Sequence, residues 1–347
     1  MHAGFTPGLP RIVTLTMNPA LDITTSVDVV RPTSKLRCSA TRYDPGGGGV
    51  NVARIAHALG GSAFAVLPAG GSHGGLLTRL LSEAGVPFGE IPIAGATRES
   101  FTVNEMSTGR QYRFVLPGPV LTSAEQDRCV QELRMAARSA DFVVASGSLP
   151  PGVPADFYQR VAHVAREVGA RLILDTSGGA LHGVTSGIYL LKASVRELRE
   201  CVGRDLATEQ EQAAAARELV DSGRAEVVVV SLGSAGALLV TGHTCQRFAA
   251  VPMEAGSGVG AGDAMVAAMA VGLTRGWPLG KSVRLGIAAG AAMLLTPGTE
   301  VCERADVERL FELTGEPIEA GSAAAGTKDT ANSGPTTPAE TADRAID

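Results

Sequence analysis

The sequence predicts an α/β fold, in which a mainly parallel sheet is covered on both faces by helices and accompanied by a small separate β-sheet. Two observations predict it, and a third supplies the tight turns it needs. Short, continuous runs rich in Val, Ile and Leu alternate with helical stretches, as strands buried on both faces do. Two segments, 22–43 and 98–116, instead alternate polar and apolar residues without a helical period, the pattern of half-exposed strands. Glycine is abundant, 43 of 347 residues, where about 24 would follow from the usual frequency of roughly 7%.

In chain order, 11–16 (RIVTLT) reads as the first strand, 50–59 as a helix, 62–67 (SAFAVL) as a strand and 74–84 as a helix. Strand 141–146, helix 155–168, strands 171–175 and 188–191, and helix 209–222 continue the alternation. Strand 226–231 leads into a hairpin-like pair, 236–240 and 245–251, before two long small-residue helices at 262–275 and 280–295. Segments 22–43 and 98–116 read as antiparallel strands forming a β lid made of two insertions. An exposed lid face needs covering, so a homodimer through the lid is expected. Residues 1–10 read as a flexible N-terminus and 11–316 as one domain. From 317 to 347 the composition falls to Ala, Gly, Ser, Thr, Pro and charges, too little apolar surface to order a chain, so a disordered tail is expected.

A formal net charge of −5 gives no reason to expect a nucleic acid or an acidic membrane surface as partner. The five cysteines are scattered and form no C-x-x-C pair, which argues against a disulfide framework or structural zinc and suits a reducing, cytoplasmic setting. The opening residues lack the charged start and apolar run of a signal peptide.

Four motifs could carry chemistry. Gly258-Val-Gly-Ala-Gly262-Asp263 directly precedes an apolar helix. Small residues there let backbone N–H groups converge at the helix N-terminus as an anion site, with the Asp263 carboxylate beside it. Phosphoryl transfer needs that pairing of donors and base, although Asp also caps helices for structural reasons alone. Pro45-Gly46-Gly47-Gly48-Gly49-Val50-Asn51 could bring backbone close to a sugar or phosphate, or be a plain flexible turn. Asn18-Pro-Ala-Leu-Asp22 closes the first strand, where ligands gather in parallel sheets, yet by local chemistry alone an Asx-type turn explains it better. Lys35 and Arg98, at the edges of the lid segments, could grip a phosphate or be solvated surface cations.

Two near-misses carry less. Gly276-Trp-Pro-Leu-Gly280-Lys281-Ser282 has three residues between its glycines where a P-loop needs four, and it follows a helix. Gly70-Gly-Ser72-His73-Gly74 fits a hydrolase nucleophile elbow, with Asp175 and His182 as conceivable partners.

Asn-Pro-Ala-Leu-Asp, the glycine run ending in Asn-Val-Ala, Ser146-Gly-Ser148-Leu-Pro-Pro-Gly152 and Gly-Ala-Gly-Asp263 occur in that order across about residues 11–313. Together they resemble the ribokinase-like (PfkB) sugar kinases. The all-glycine run, with Thr-Met-Asn-Pro-Ala (16–20), Gln-Tyr-Arg-Phe-Val (111–115) and Val-Ser-Leu-Gly (230–233), is similar to the branch that phosphorylates fructose 6-phosphate on its C1 hydroxyl. Branches acting on fructose 1-phosphate or tagatose 6-phosphate usually carry Gly-Gly-Lys-Gly at 46–49.

The resemblance implies a three-layer α/β/α sandwich with a β lid, and a role for each matching residue. Asp263 would be the base, and Gly260, Ala261 and Gly262 the anion hole. Asp22, Gly46, Gly47 and Asn51 would hold the sugar, with Lys35, Arg98 and Ser148 on its phosphate. Lys192, Ser194, Ser231 and Gly233 would bind ATP, and Glu197 would organise Mg²⁺ through water. Ser194 stands where the family usually has Asn, a shorter side chain with one hydroxyl in place of an amide. Another acceptor of the same family, or a nucleotide- and sugar-phosphate-binding module with weak catalysis, stays open at this point.

Overall fold

A computed structural model describes residues 9–253, 258–296 and 300–319. Most of the expected flexible N-terminus and the tail from residue 320 onward lie outside the described residues.

The strands are β1 (Ile12–Leu15), β2 (Ala20–Val27), β3 (Arg42–Gly46), β4 (Ala63–Ala69), β5 (Phe88–Pro92), β6 (Arg98–Glu105), β7 (Gln111–Val115), β8 (Phe142–Ser146), β9 (Arg171–Asp175), β10 (Ile188–Ser194), β11 (Ala225–Ser231), β12 (Ala237–Thr241), β13 (Cys245–Phe248) and β14 (Ile318–Glu319). The helices are α1 (Gly48–Ala58), α2 (Gly71–Glu83), α3 (Ser123–Ala136), α4 (Phe157–Glu167), α5 (Gly178–His182), α6 (Val195–Val202), α7 (Glu209–Asp221), α8 (Ala261–Thr274), α9 (Leu279–Ala292) and α10 (Arg304–Glu312).

Ten strands form the main sheet in the order β14-β13-β12-β11-β10-β9-β8-β1-β4-β5. Its strands from β11 through β5 pair in parallel. β12, β13 and β14 extend the sheet antiparallel; the short β11–β12 and β12–β13 connections leave no room for a parallel crossover. The continuous β-branched runs have a direct cause in burial. Along β11, Val227 and Val229 face one core with α8 and α9, while Val228 and Val230 face the other with α4 and α7. Ile12 and Val13 divide in the same way in β1. These strands are therefore apolar on both faces and sandwiched between helical layers.

The expected lid is present as a four-stranded sheet, β3-β2-β6-β7. It differs from expectation in one pairing: β2 and β6 run in parallel, Ala20 opposite Arg98 through Val27 opposite Glu105, while β3 and β7 flank them antiparallel. Both central strands leave the main domain in the same direction, so they run side by side, and each turns back through its own antiparallel partner. Residues 28–41, which include Lys35, connect β2 and β3 and are not strand. Helices α3, α5, α6 and α10 and the edge strand β5 lie outside the predicted elements. Strand β14, at the start of the expected tail, pairs with β13 through Arg247–Ile318 and Gln246–Glu319, so ordered structure reaches residue 319.

Candidate active site

The first turn of α8 lies at the carboxyl ends of the parallel strands. Gly260 caps it with φ 78°, a left-handed conformation that suits a residue without Cβ. The Ala261 N–H turns back onto the Gly258 carbonyl, 3.2 Å, so Ala261 is committed to the turn. Gly262 and Asp263, the next two residues, belong to the first turn, where N–H groups lack intrahelical partners. Of the three residues expected to form an anion hole, Ala261 thus has its N–H engaged within the turn.

Asp263 is the third residue of α8 and lines two clefts at once. Its Oδ2 accepts from Asn51 Nδ2 at 3.0 Å, and its Oδ1 accepts from Ser146 Oγ at 3.3 Å. Burial, with Asp175 nearby, pushes its carboxyl up to about 6 against the opposing hydrogen bonds and Lys192. A carboxyl that titrates there is ionised at neutral pH yet basic enough to take a hydroxyl proton.

On one side of Asp263 is a cleft of about 90 Å³ whose lining includes Asp22, Asn51, Arg54, Arg113 and Gly260. Asp22 is nearly buried, and burial raises its carboxyl to about 6 despite Arg113, Arg98 and Arg54. Gly46 is required by this packing, since a Cβ there would lie 2.3 Å from Asp22 Oδ2. Gly47 has φ 104°. Arg54, buried, donates from Nη1 to the Pro45 carbonyl at 2.9 Å and approaches Asn51 Oδ1 at 3.5 Å, tying the glycine loop to the residue that holds Asp263.

On the other side is a polar cleft of about 280 Å³, lined by Gly48, Ser146, Ser148, Asp175, Lys192, Glu197 and Gly262 among others. Lys192 Nζ meets the Asp175 carboxylate at 3.2 and 3.3 Å. Burial disfavours its ammonium, but Asp175, Glu197 and Asp263 outweigh that and raise its pKa, so Lys192 stays charged. Gly262 lets it approach: a Cβ there would lie 2.8 Å from Nζ. Gly48 is equally constrained, its Cβ falling 2.3 Å from Ser146 Oγ and 2.8 Å from the Gly147 nitrogen. Beside this cleft runs a larger, mostly apolar groove of about 540 Å³, lined by Ser231, Gly233, Met253, Met265, Ile287 and Leu294 among others.

Most of the sequence-predicted residues thus converge. Asp22 and Asn51 line the small cleft, with Gly46 packed against Asp22 behind it, while Ser148, Lys192 and Glu197 line the polar one, with Asp263 and Gly260 shared; Gly47 packs against Thr16 and Pro19. Ser231 and Gly233 line the apolar groove. Arg98 lies at the root of the lid, its guanidinium donating to the carbonyls of Asn18 and Leu116.

Arg98 lines none of the three clefts, and two further residues stand apart from them. Lys35 is exposed on the 28–41 connection and lines none of these clefts. Ser194 is the N-cap of α6, its hydroxyl accepting from Glu197 N at 3.2 Å while Glu197 Oε2 accepts from Ser194 N at 2.7 Å. The hydroxyl is engaged in a capping box, where the sequence reading gave it to ATP. The elbow constellation does not assemble: Asp175 faces Lys192, and His182 bonds the Gly178 carbonyl.

Arg54, Arg113 and Ser146 receive no role from the sequence, and Asp175 is named there only as a conceivable hydrolase partner. Asp175 ends β9 at the carboxyl edge of the sheet, and that position was its signal. Arg113 sits inside the quoted Gln-Tyr-Arg-Phe-Val, but only the β6–β7 register, Thr102 opposite Arg113, brings it over Asp22. Ser146 needed the β8 terminus to be placed against α8.

Known proteins resemble this chain over most of its length. The pfkB family carbohydrate kinase profile matches residues 15–306. The chain is 71% identical over 319 residues, 92% of this chain and 94% of the other, to the ATP-dependent 6-phosphofructokinase isozyme 2 of Mycobacterium tuberculosis. It is 41% identical over 303 residues, 87% of this chain and 98% of the other, to the Escherichia coli protein of that name. The crystal structure of the Escherichia coli phosphofructokinase-2 with fructose-6-phosphate superposes with TM-score 0.82 at 39% identity, covering 88% of this chain and 99% of that one. That enzyme has also been solved in a tetrameric inhibited form. The Arabidopsis thaliana ribokinase with ribose and ATP, at 20% identity over 88% of this chain and 99% of that one, has TM-score 0.70 and shares the fold. Taken with the ordered motifs and the shared clefts around Asp263, these matches show that the chain belongs to the pfkB family of carbohydrate kinases.

Proposed function

We propose that this protein transfers the γ-phosphoryl group of ATP to the C1 hydroxyl of fructose 6-phosphate, giving fructose 1,6-bisphosphate. One observation carries the reading: Asp263 is common to a small cleft lined by Asp22 and Asn51 and to a polar cleft that opens beside a larger, mostly apolar groove. A base at that junction can take the proton of a hydroxyl on one side while phosphoryl arrives from the other. The names and identities of the relatives support fructose 6-phosphate as acceptor.

Each group then has a task. Asp22 and Asn51 accept and donate hydrogen bonds to sugar hydroxyls, and Asn51 together with Ser146 aims Asp263. The Gly260 and Gly262 backbone holds charge on the moving phosphoryl, and Lys192 meets the ATP phosphates. Ser231 and Gly233 line the groove for the nucleoside, whose apolar walls suit a base. Arg98 and Ser148 hold the acceptor's phosphate.

Asp175 and Glu197 present hard oxygen donors to the polar cleft, which fits Mg²⁺. Among the described residues no cluster of three or more acidic, His or Cys side chains forms a cage. When bound, Mg²⁺ would neutralise phosphate charge.

The lid exposes Tyr43, Phe114, Val115 and Leu116, and a homodimer would cover them. No helix among the described residues is long and apolar enough to cross a membrane, and a sugar-phosphate kinase fits the cytoplasm. The reading is tested by Asp263→Asn, which should retain ATP while turnover with fructose 6-phosphate falls by roughly 10²–10⁴. Near-normal turnover would remove Asp263 from the role of base.

A further inference from the structure

Arg98 and Ser148 come from distant parts of the chain, the first residue of β6 and the loop after β8, yet one residue touches both. The Asn18 backbone carbonyl accepts from Arg98 Nε at 3.3 Å and Nη2 at 3.1 Å. The Asn18 side chain donates from Nδ2 to Ser148 Oγ at 3.1 Å. Asn18 is 9% exposed, while Ser148 is open to the polar cleft. The amide is held closely: a Cβ on Gly118 would lie 2.1 Å from Asn18 Oδ1 and 3.2 Å from Pro150 Cβ.

The direction of the Asn18–Ser148 bond matters. A serine hydroxyl has one proton and two lone pairs. With Asn18 Nδ2 donating, Ser148 accepts with a lone pair and keeps its proton available, while Asn18 Oδ1 is buried without a hydrogen-bond partner among the described residues. Among the described residues Ser148 Oγ has no other hydrogen-bond partner. An anion arriving in the cleft therefore meets a hydroxyl already polarised to donate, while Arg98 is held by the carbonyl of Asn18.

We propose that Asn18 is a positioning residue for the acceptor's phosphate, fixing the aim of Arg98 through its carbonyl and the donor sense of Ser148 through its amide. This rests on the reading that the acceptor is phosphorylated. Asn18→Asp is the sharpest probe, because it preserves shape and backbone while reversing the bond. A carboxylate must accept the Ser148 proton, and its charge stands beside Arg98.

The experiment compares wild type, Asn18→Asp, Asn18→Ala, Ser148→Ala and the Asn18→Ala/Ser148→Ala double variant, with fructose 6-phosphate and with unphosphorylated fructose. Asn18→Asp should raise KM for fructose 6-phosphate about 50-fold or more, leaving KM for ATP and kcat/KM for fructose within about 3-fold. Asn18→Ala should raise KM for fructose 6-phosphate about 5- to 10-fold, and less than 2-fold in the Ser148→Ala background, since the two act as one unit. An Asn18→Asp enzyme with unchanged KM for fructose 6-phosphate, or one equally impaired with fructose, overturns the proposal. Wild type that uses fructose as well as fructose 6-phosphate overturns the phosphorylated-acceptor reading itself, and the proposal with it.

Discussion

Replacing the base should make the protein more stable as well as inactive, and the size of that gain follows from the site. Asp263 has a folded-state pKa of about 6 against an ordinary 3.8. Between those values the native state binds more protons than the unfolded chain, so stability falls as pH rises through that window. At 1.36 kcal/mol per unit, ionised Asp263 costs at most about 3 kcal/mol at pH 7.5 and about half that at pH 5. Its access to cleft water reduces the figure. The amide that replaces the carboxylate would also accept from only one of Asn51 and Ser146, a loss of about 1 kcal/mol. The net gain for Asp263→Asn is about 1–2 kcal/mol at pH 7.5, or roughly 2–4 °C in Tm for a domain of this size. Thermal melts of both proteins at pH 7.5, 5 and 4 read it directly. The gain should shrink at pH 5 and vanish by pH 4. A variant that melts lower at pH 7.5, or whose gain ignores pH, would refute the claim that burial strains this carboxylate.

Gly48→Lys would drive a Cβ into Ser146 Oγ and the Gly147 backbone; kcat with fructose 6-phosphate should drop at least about 10-fold as Ser146 loses its aim on Asp263, and unchanged steady-state kinetics would contradict that packing. Ser194→Ala should lower Tm through the lost cap, about 1 kcal/mol, while KM for ATP stays level; a several-fold rise in that KM would return Ser194 to the nucleotide site. Lys192→Met removes the cation that Asp175 is paired with, which should cost about 3–5 kcal/mol in chemical denaturation. Adding Asp175→Asn should restore much of it, and no recovery would show the pair is not coupled. The kcat–pH profile should fall about tenfold per unit below about pH 6, where Asp263 protonates; a flat acid limb would point to another base.

The main sheet was legible because its cause is local. Strands with both faces buried must be apolar at every position, as in Val227–Val230, and no distant information is needed to see that. The shared site was legible where a motif carries its own geometry, as Gly260–Asp263 does at the start of α8. Helix α3 left a readable sign that went unused, the Thr122–Glu125 capping box. Strand β5, Phe-Gly-Glu-Ile-Pro, left almost none, since Gly and Pro both weaken a strand pattern. The parallel pairing of β2 with β6 was hidden for another reason. The partners, such as Ala20 and Arg98, are far apart in sequence, and only the common exit of both strands from the main domain fixes their direction. Arg113 and Asp175 depend on the same non-local register. At Ser194, where the family position implied a nucleotide contact, the local chemistry also makes a helix cap, which the Ser194-to-Glu197 spacing shows.

The kinase assignment is tested most directly by ADP release with Mg-ATP, with fructose 6-phosphate, tagatose 6-phosphate, fructose 1-phosphate and adenosine compared side by side. The highest kcat/KM should come with fructose 6-phosphate. ATP binding without ADP release for any of these acceptors would contradict the assignment and leave a nucleotide-binding module in its place.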